Sequence, residues 1–183
     1  MTIIHGDCLV EMKRIPDNSI DMILCDLPYG TTACKWDTII PFEPLWVEYE
    51  RVIKDNRAIV LTASQPFTSA LVMSNIKMFK YEWIWDKKIP SGMSYARFQP
   101  MRQHENILVF CKGKTNYNPQ MVKRDKPIKS GGTKYSETAP IAHKDVSFKK
   151  TYDYKNPTTI VVESKVRRGS YHPTQKPVAL FEY

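Results

Sequence analysis

Four consecutive residues, Asp26-Leu27-Pro28-Tyr29, combine groups that can grip a flat ring bearing an amino substituent. The Asp26 carboxylate and the Leu27 backbone carbonyl can accept two N–H bonds while the tyrosine covers the ring face. Pro28 confines Leu27 to an extended conformation and stiffens the turn. Gly30 lets the backbone turn away or a ligand approach closely. The same tetrapeptide also ends ordinary strands, and on its own it reads as such a turn.

These groups need a rigid mount, and the first 111 residues read as alternating strands and helices. Residues 2–5 read as a short strand, and Leu9, Met12 and Ile15 recur at helical spacing until Pro16. A turn at residues 17–19 precedes an apolar run at 20–25, read as a buried strand that ends at Asp26. Leu45, Trp46, Tyr49, Val52 and Ile53 form one helix face. Residues 58–62 read as a second buried strand, followed by a helix that Pro66 opens. Strands at 81–85 and 105–111 complete the pattern. Alternation of this kind predicts an α/β fold with a mainly parallel sheet, whose ligands bind beyond the carboxyl ends of the strands. Asp7, Asp26, Ser64 and Asp86 each fall just past a predicted strand end and are candidates for one crevice. Trp83, Trp85, Met73 and Met78 read as packing residues, and Lys87-Lys88 as a solvated pair.

Charge divides the 183-residue chain unevenly. Its net charge is +8. Residues 112–168 hold 14 lysines and arginines against 5 acidic residues, and the remainder is close to neutral. Tyrosines and Phe148 lie between the lysines, the pattern of a surface that tracks phosphates and stacks on bases; a solvated basic loop has the same composition. The expected organisation is an α/β part at 1–111, an inserted loop-rich basic region at 112–170, and a short closing segment at 171–183. No apolar run is long enough to span a membrane. The four cysteines show neither a CxxC pair nor zinc-like spacing, so they read as buried free thiols of a reducing cytoplasm and no metal site is expected.

Several motifs in order resemble the permuted, or β-class, amino-group DNA methyltransferases. They are residues 5–8 (His-Gly-Asp-Cys), 20–29 with the D-x-P-Y tetrad, 58–67, 81–87, 104–110, and 172–177 (His-Pro-Thr-Gln-Lys-Pro). The resemblance implies a partial class I methyltransferase-like, Rossmann-like fold. It further implies transfer of a methyl group from S-adenosylmethionine to adenine N6, or alternatively cytosine N4, on a base flipped out of double-stranded DNA. It makes Asp26, Leu27, Pro28 and Tyr29 the catalytic tetrad, with Leu27 where proline is commoner; the backbone carbonyl at that position is kept. It makes Asp7, Cys8, Asp26, His172, Pro173, Thr174, Gln175 and Lys176 cofactor contacts. It sets Lys123, Arg124, Lys126, Lys129, Lys149, Lys150, Arg167 and Arg168 in the DNA-recognition region.

Family members carry a glycine-rich cofactor loop after the segment that residues 172–177 resemble. This chain has seven glycines and no G-x-G. The expectation is therefore a fragment, a non-catalytic DNA-binding remnant, or one half of a split enzyme, not competent for methyl transfer alone. A second polypeptide or a homodimer partner is an expected route to completion.

Overall fold

The computed structural model describes residues 2–130, 150–166, 169–172 and 174–183, with the backbone alone at Ser130 and Lys150. The chain forms two compact units, Met1–Asn116 with Thr159–Tyr183, and Tyr117–Thr158.

The first unit opens with an irregular segment. No strand forms at residues 2–5, and Ile3 and Ile4 are exposed. Apolar character alone does not order four residues; a strand needs a neighbour for its N–H and C=O groups, and no described strand lies beside this one. Asp7 then caps helix α1 (Cys8–Glu11), its carboxylate accepting from the Leu9 amide at 2.8 Å. A 3-10 turn at Met12–Arg14 ends the helix ahead of Pro16.

Strand β1 (Ile23–Asp26) ends at the predicted residue but is half exposed, because it forms one edge of the sheet. Helix α2 (Phe42–Val52) buries Leu45, Trp46, Tyr49 and Val52, the face that its spacing predicts. Arg51, in its last turn, donates to the Ile15 and Met12 carbonyls and pairs with Asp17 and Glu48, which fastens the opening turns to α2. Strand β2 (Ile59–Ala63) is buried along its whole length. Helix α3 (Phe67–Ser74) follows Pro66 and buries Phe67, Thr68 and Leu71.

The next two strands are longer than their apolar cores. Strand β3 (Phe79–Ser91) continues past Asp86 through Lys87, Lys88 and Pro90, and β4 (Arg102–Phe110) returns beside it. Beyond the second unit's β5 (Val122–Ser130) and β6 (Lys150–Lys155), β7 (Ile160–Val162) adds to the far edge of the sheet. The short helix α4 (Val178–Glu182) follows. The sheet order is β1-β2-β4-β3-β7. The β1–β2 and β3–β7 pairs are parallel and both β4 pairings are antiparallel. Four strands thus point one way and β4 alone runs against them.

Alternation along β2 and β4 feeds two cores. Ile59, Leu61, Leu108 and Phe110 face α2 and α3, whereas Val60, Ile107 and Val109 pack with Trp85, Val161 and Leu180 of α4. The buried amide of Asn106 is satisfied from both sides, donating to Glu82 and accepting from Thr68. Three smaller expectations fail. Met73 is exposed on α3 while Met78 is buried, Lys87 is buried, and Cys34 is exposed with only Cys111 fully buried. No helix among the described residues is long and apolar enough to cross a membrane.

The second unit shows two strands where the sequence shows no strand pattern. β5 and β6 pair antiparallel, with a register shift between Lys123 and Ile128. Val122, Ile128, Tyr152 and Tyr154 all stay substantially exposed. A ribbon that buries neither face has no reason to alternate, so periodicity gives no signal here.

Leu61, fully buried on β2, reports on the main core. Leu61→Ala is expected to lower stability by about 2–5 kcal/mol in urea unfolding. Val47→Ala, on the exposed side of α2, should stay within about 0.5 kcal/mol of the parent.

Candidate active site

β1 stops at Asp26, and the chain leaves the sheet through Leu27-Pro28-Tyr29-Gly30. Leu27 is 5% exposed and belongs to the α2/α3 core, so its side chain anchors the backbone at the position where a proline ring would otherwise stiffen it. Gly30 has φ +66, and a Cβ there would meet Ile39 at 2.9 Å, so both conformation and space call for glycine.

Asp37 sets the course of the following loop. Its carboxylate accepts from the backbone amides of Gly30, Thr31 and Thr32 at 2.7–2.9 Å. Burial opposes ionisation of this group, but the hydrogen bonds from Thr32, Gly30 and Thr31 outweigh it and hold the carboxyl down at about 2.

Asp26 is the most heavily engaged group of the tetrad. Its Oδ1 accepts from the Thr62 hydroxyl of the neighbouring strand and from the Tyr29 hydroxyl at 3.0 Å. The Lys176 ammonium lies 3.0 Å from Oδ1 and 3.1 Å from Oδ2. Lys176 is also 3.4 Å from Glu105 Oε2, and the other Glu105 oxygen pairs with Lys87 at 3.1 Å. Two lysines and two carboxylates therefore form one connected chain. Glu105 Oε2 is buried and accepts no hydrogen bond among the described residues, the Lys176 contact being an ion pair without hydrogen-bond geometry.

Tyr29 stacks on Phe67 with centroids 5.3 Å apart, and the Lys176 ammonium stands 5.2 Å from its ring centre. Burial, then the Asp26 charge, drives the Tyr29 phenol far above its ordinary range, so it remains a donor and is unsuited to act as a base.

Lys176 reaches this point from a compact turn. Gln175 donates its amide to the His172 carbonyl, Gln175 Oε1 accepts from the Tyr171 amide, and the Thr174 amide donates to His172 Nδ1. The His172 ring meets Trp36 edge-on at 4.9 Å.

A cleft of about 580 Å³ gathers these parts. All four tetrad residues line it, as do His172, Thr174, Gln175, Lys176 and Ser64. Asp7, Cys8 and Asp86 do not. Asp7 caps α1, and Asp86 is bonded to Gln103 and to the Lys88 amide. Trp36, Asp37, Glu105, Arg102 and Lys165 line the cleft without having been singled out from sequence, and Lys87, read from sequence as solvated, lines it too. Of these, Glu105 carried a usable signal: a carboxylate entering an apolar strand is costly unless a cation meets it. Among the described residues, no group of three or more His, Cys, Asp or Glu is arranged to hold a metal ion.

In the second unit, Lys123, Arg124, Lys126 and Lys129 lie on β5, with Arg124 donating to the Tyr154 carbonyl. Pro173, Lys149, Arg167, Arg168 and the side chain of Lys150 lie outside the described residues.

The profile of the family described as DNA methylase, of N6 and N4 type, matches residues 20–183. The chain is 28% identical over 209 positions to the DNA adenine methyltransferase YhdJ of Escherichia coli (strain K12), covering 99% of this chain and 65% of that protein. It is 28% identical over 142 positions to the Type II methyltransferase M.HinfI of Haemophilus influenzae, covering 63% of this chain and 39% of that one. It therefore spans less than two thirds of each of these curated relatives. Among solved structures it is similar to an M1.HpyAVI–SAM complex (TM-score 0.54, 19% identity, 98% of this chain and 72% of that one). It is also similar to the cytosine-N4-specific PvuII DNA methyltransferase (TM-score 0.55, 12% identity, 96% and 65%). These likenesses show the fold, a class I methyltransferase-like α/β arrangement.

Asp37 generates a pH prediction. Its folded pKa lies below the unfolded value, so its contribution to stability is complete above about pH 4 and is lost as pH falls through about 2. Asp37→Asn should lower the urea midpoint at pH 6, and the gap from the parent should close on acidification toward pH 2. A gap that does not change with pH would contradict this role.

Proposed function

The chain belongs to the DNA methylase family, and from that premise we propose that its cleft serves methyl transfer from S-adenosylmethionine to an exocyclic amino group of a DNA base, adenine N6 in preference to cytosine N4. The observation that carries the reading is the convergence of the Asp26-Leu27-Pro28-Tyr29 turn with the 172–176 turn in one cleft, joined by the Asp26–Lys176 ion pair. The preference for adenine is supported by the likeness to YhdJ, an adenine methyltransferase, over nearly the whole chain.

The residues present fit one end of the cofactor. Glu105 Oε2 is a buried acceptor without a hydrogen-bond donor, and the cationic side chains of Lys165 and Arg102 line the same cleft. That set suits the ammonium and carboxylate of an amino acid, with Thr174 and Gln175 beside them. When bound, S-adenosylmethionine supplies a methyl group already activated on a sulfonium, so no side-chain nucleophile is needed.

Asp26 has the central task. Its carboxylate, with the Leu27 carbonyl, accepts the N–H bonds of the target amino group. This draws the nitrogen toward tetrahedral geometry, frees its lone pair for the methyl carbon and stabilises the positive charge that develops. Lys176 now occupies both the Asp26 carboxylate and the exposed side of Tyr29, so the target amino group takes over contacts that the ammonium makes in its absence. Tyr29, backed by Phe67, offers its ring to the base and its hydroxyl proton to Asp26 Oδ1.

The β5–β6 ribbon supports DNA recognition. A two-stranded ribbon fits the major groove, and β5 carries Lys123, Arg124, Lys126 and Lys129. Lys149, Arg167 and Arg168, which lie outside the described residues, are proposed from the sequence as further DNA contacts. A second reading, in which another polypeptide completes the cofactor site, is supported by the exposed Ile3 and Ile4 and by Asp7 and Cys8 standing outside the cleft.

Incubation with methyl-labelled S-adenosylmethionine and duplex DNA, then nucleoside chromatography, tests the reading. Any labelled nucleoside, formed by the chain alone or once its cofactor site is completed, is expected to be N6-methyladenine, and its yield to fall by about a hundredfold or more in Asp26→Asn. N4-methylcytosine would reverse the base assignment. Duplex binding without any labelled nucleoside would favour the non-catalytic DNA-binding alternative, and label appearing only when a second polypeptide is added would favour the completed-site reading. For the ribbon, replacing Lys123, Arg124 and Lys126 with glutamine should flatten the slope of log K against log salt by up to about 0.9 per residue. An unchanged slope would remove the ribbon from the DNA interface.

A further inference from the structure

The loop joining β3 to β4 has a composition and placement that the cleft chemistry does not use. Its two ends stand in the cleft wall. Ser91 and Arg102 both line the cleft, pair in register, and are joined by a hydrogen bond from the Ser91 hydroxyl to the Arg102 carbonyl at 3.3 Å. The residues between them turn tightly on themselves. Gly92 has φ +91, a 3-10 turn spans Met93–Tyr95, and the Phe98 and Gln99 amides both donate to the Tyr95 carbonyl.

The ordered loop nevertheless turns its large apolar side chains outward. Met93 is 74% exposed, Tyr95 60% and Phe98 85%. Three such side chains on so short a loop, held away from either core, form an apolar tip that needs an explanation. The loop's own charge has one sign: residues 88–102 contain Lys88, Arg97 and Arg102 and no acidic residue, whereas Lys87 is buried against Glu105. Arg97 and Arg102 are exposed with the tip.

We infer that this loop is a wedge that enters the base stack of duplex DNA beside the cleft and fills the space left by the extruded base. The inference rests on the DNA methylase reading of the cleft. Removing a base from the stack leaves an apolar void and costs a few kcal/mol, least where the base is already missing. Apolar side chains inserted between base steps recover part of that cost, and flanking cations hold the phosphates on either side. Phe98 is the foremost wedge residue and Met93 its neighbour. Arg97, exposed beside the tip, is the phosphate contact. A protein partner would meet the same apolar tip, but the absence of any acidic residue across residues 88–102 favours a polyanion.

Fluorescence anisotropy with two labelled duplexes of one sequence, intact and bearing a single abasic site, tests the wedge. The full chain should bind the abasic duplex about tenfold more tightly, since the void is already open to the loop. Phe98→Ala, alone and with Met93→Ala, should reduce this preference to about twofold or less, with thermal unfolding unchanged. Equal binding of the two duplexes by the parent chain, or an undiminished preference in the variants, would overturn the wedge while leaving the methylase reading standing. Failure to bind either duplex would count against the methylase reading and the wedge together. Concentration-dependent self-association abolished by Phe98→Ala would instead assign the tip to a second copy of the chain and overturn the inference.

Discussion

The ammonium of Lys176 lies between the carboxylates of Asp26 and Glu105, and the arrangement of the cleft depends on that contact. Lys176 is 7% exposed, so its charge has left most of its water behind. A charge in that position is tolerated only when paired, and removing one partner of such a pair typically costs about 3–5 kcal/mol. The contact joins residues 150 positions apart and fixes the turn at 172–176 against the end of β1. Lys87 closes the account on the other side of Glu105, so that two cations and two anions balance within the wall.

Under the proposed function, the same contact is what maintains the Asp26 carboxylate in the absence of a target amino group. Asp26 keeps hydrogen-bonding company from Thr62 and Tyr29 on one oxygen, while Lys176 supplies N–H donors to the other. On the proposed reading, an incoming amino group would present donors of the same kind, exchange with the ammonium and not need to fill an empty acceptor. Tyr29 is held by stacking on Phe67. Asp37 holds the loop beyond Gly30 through three backbone amides, so the tetrad is braced at both ends.

Much of this could be read from residue pattern, and the failures share one cause. α2 and α3 declare themselves because a buried face imposes a period on their residues, and β2 because burial along its whole length makes it a continuous apolar run. Asp26 is legible because an apolar run delivers it to a strand end before Pro28. Residues 2–5 have strand character but find no ladder, and the β5–β6 ribbon has a ladder but buries no face. β3 extends through Lys87, Lys88 and Pro90, where charge and proline hide a strand whose neighbour alone sustains it. In the cleft, the residues missed are those defined by partners far away in sequence. Lys87 reads as a solvated cation until Glu105 is seen beside it, and Asp37 as a loop residue until its three amide donors are in view. Asp7 is expected in the crevice because it follows a run with strand character, whereas no strand forms there and its carboxylate caps α1.

The coupling between Asp26 and Lys176 is the most direct test of the account. A double-mutant cycle of Asp26→Asn and Lys176→Met, read by urea unfolding at neutral pH, isolates their interaction from the other contacts of each residue. Both single variants should lose stability, and the double variant should lose less than their sum, leaving a coupling of about 1–3 kcal/mol. Losses that add to within about 0.5 kcal/mol would show that the two side chains do not hold each other in solution, and the cleft as described would lose its central tie.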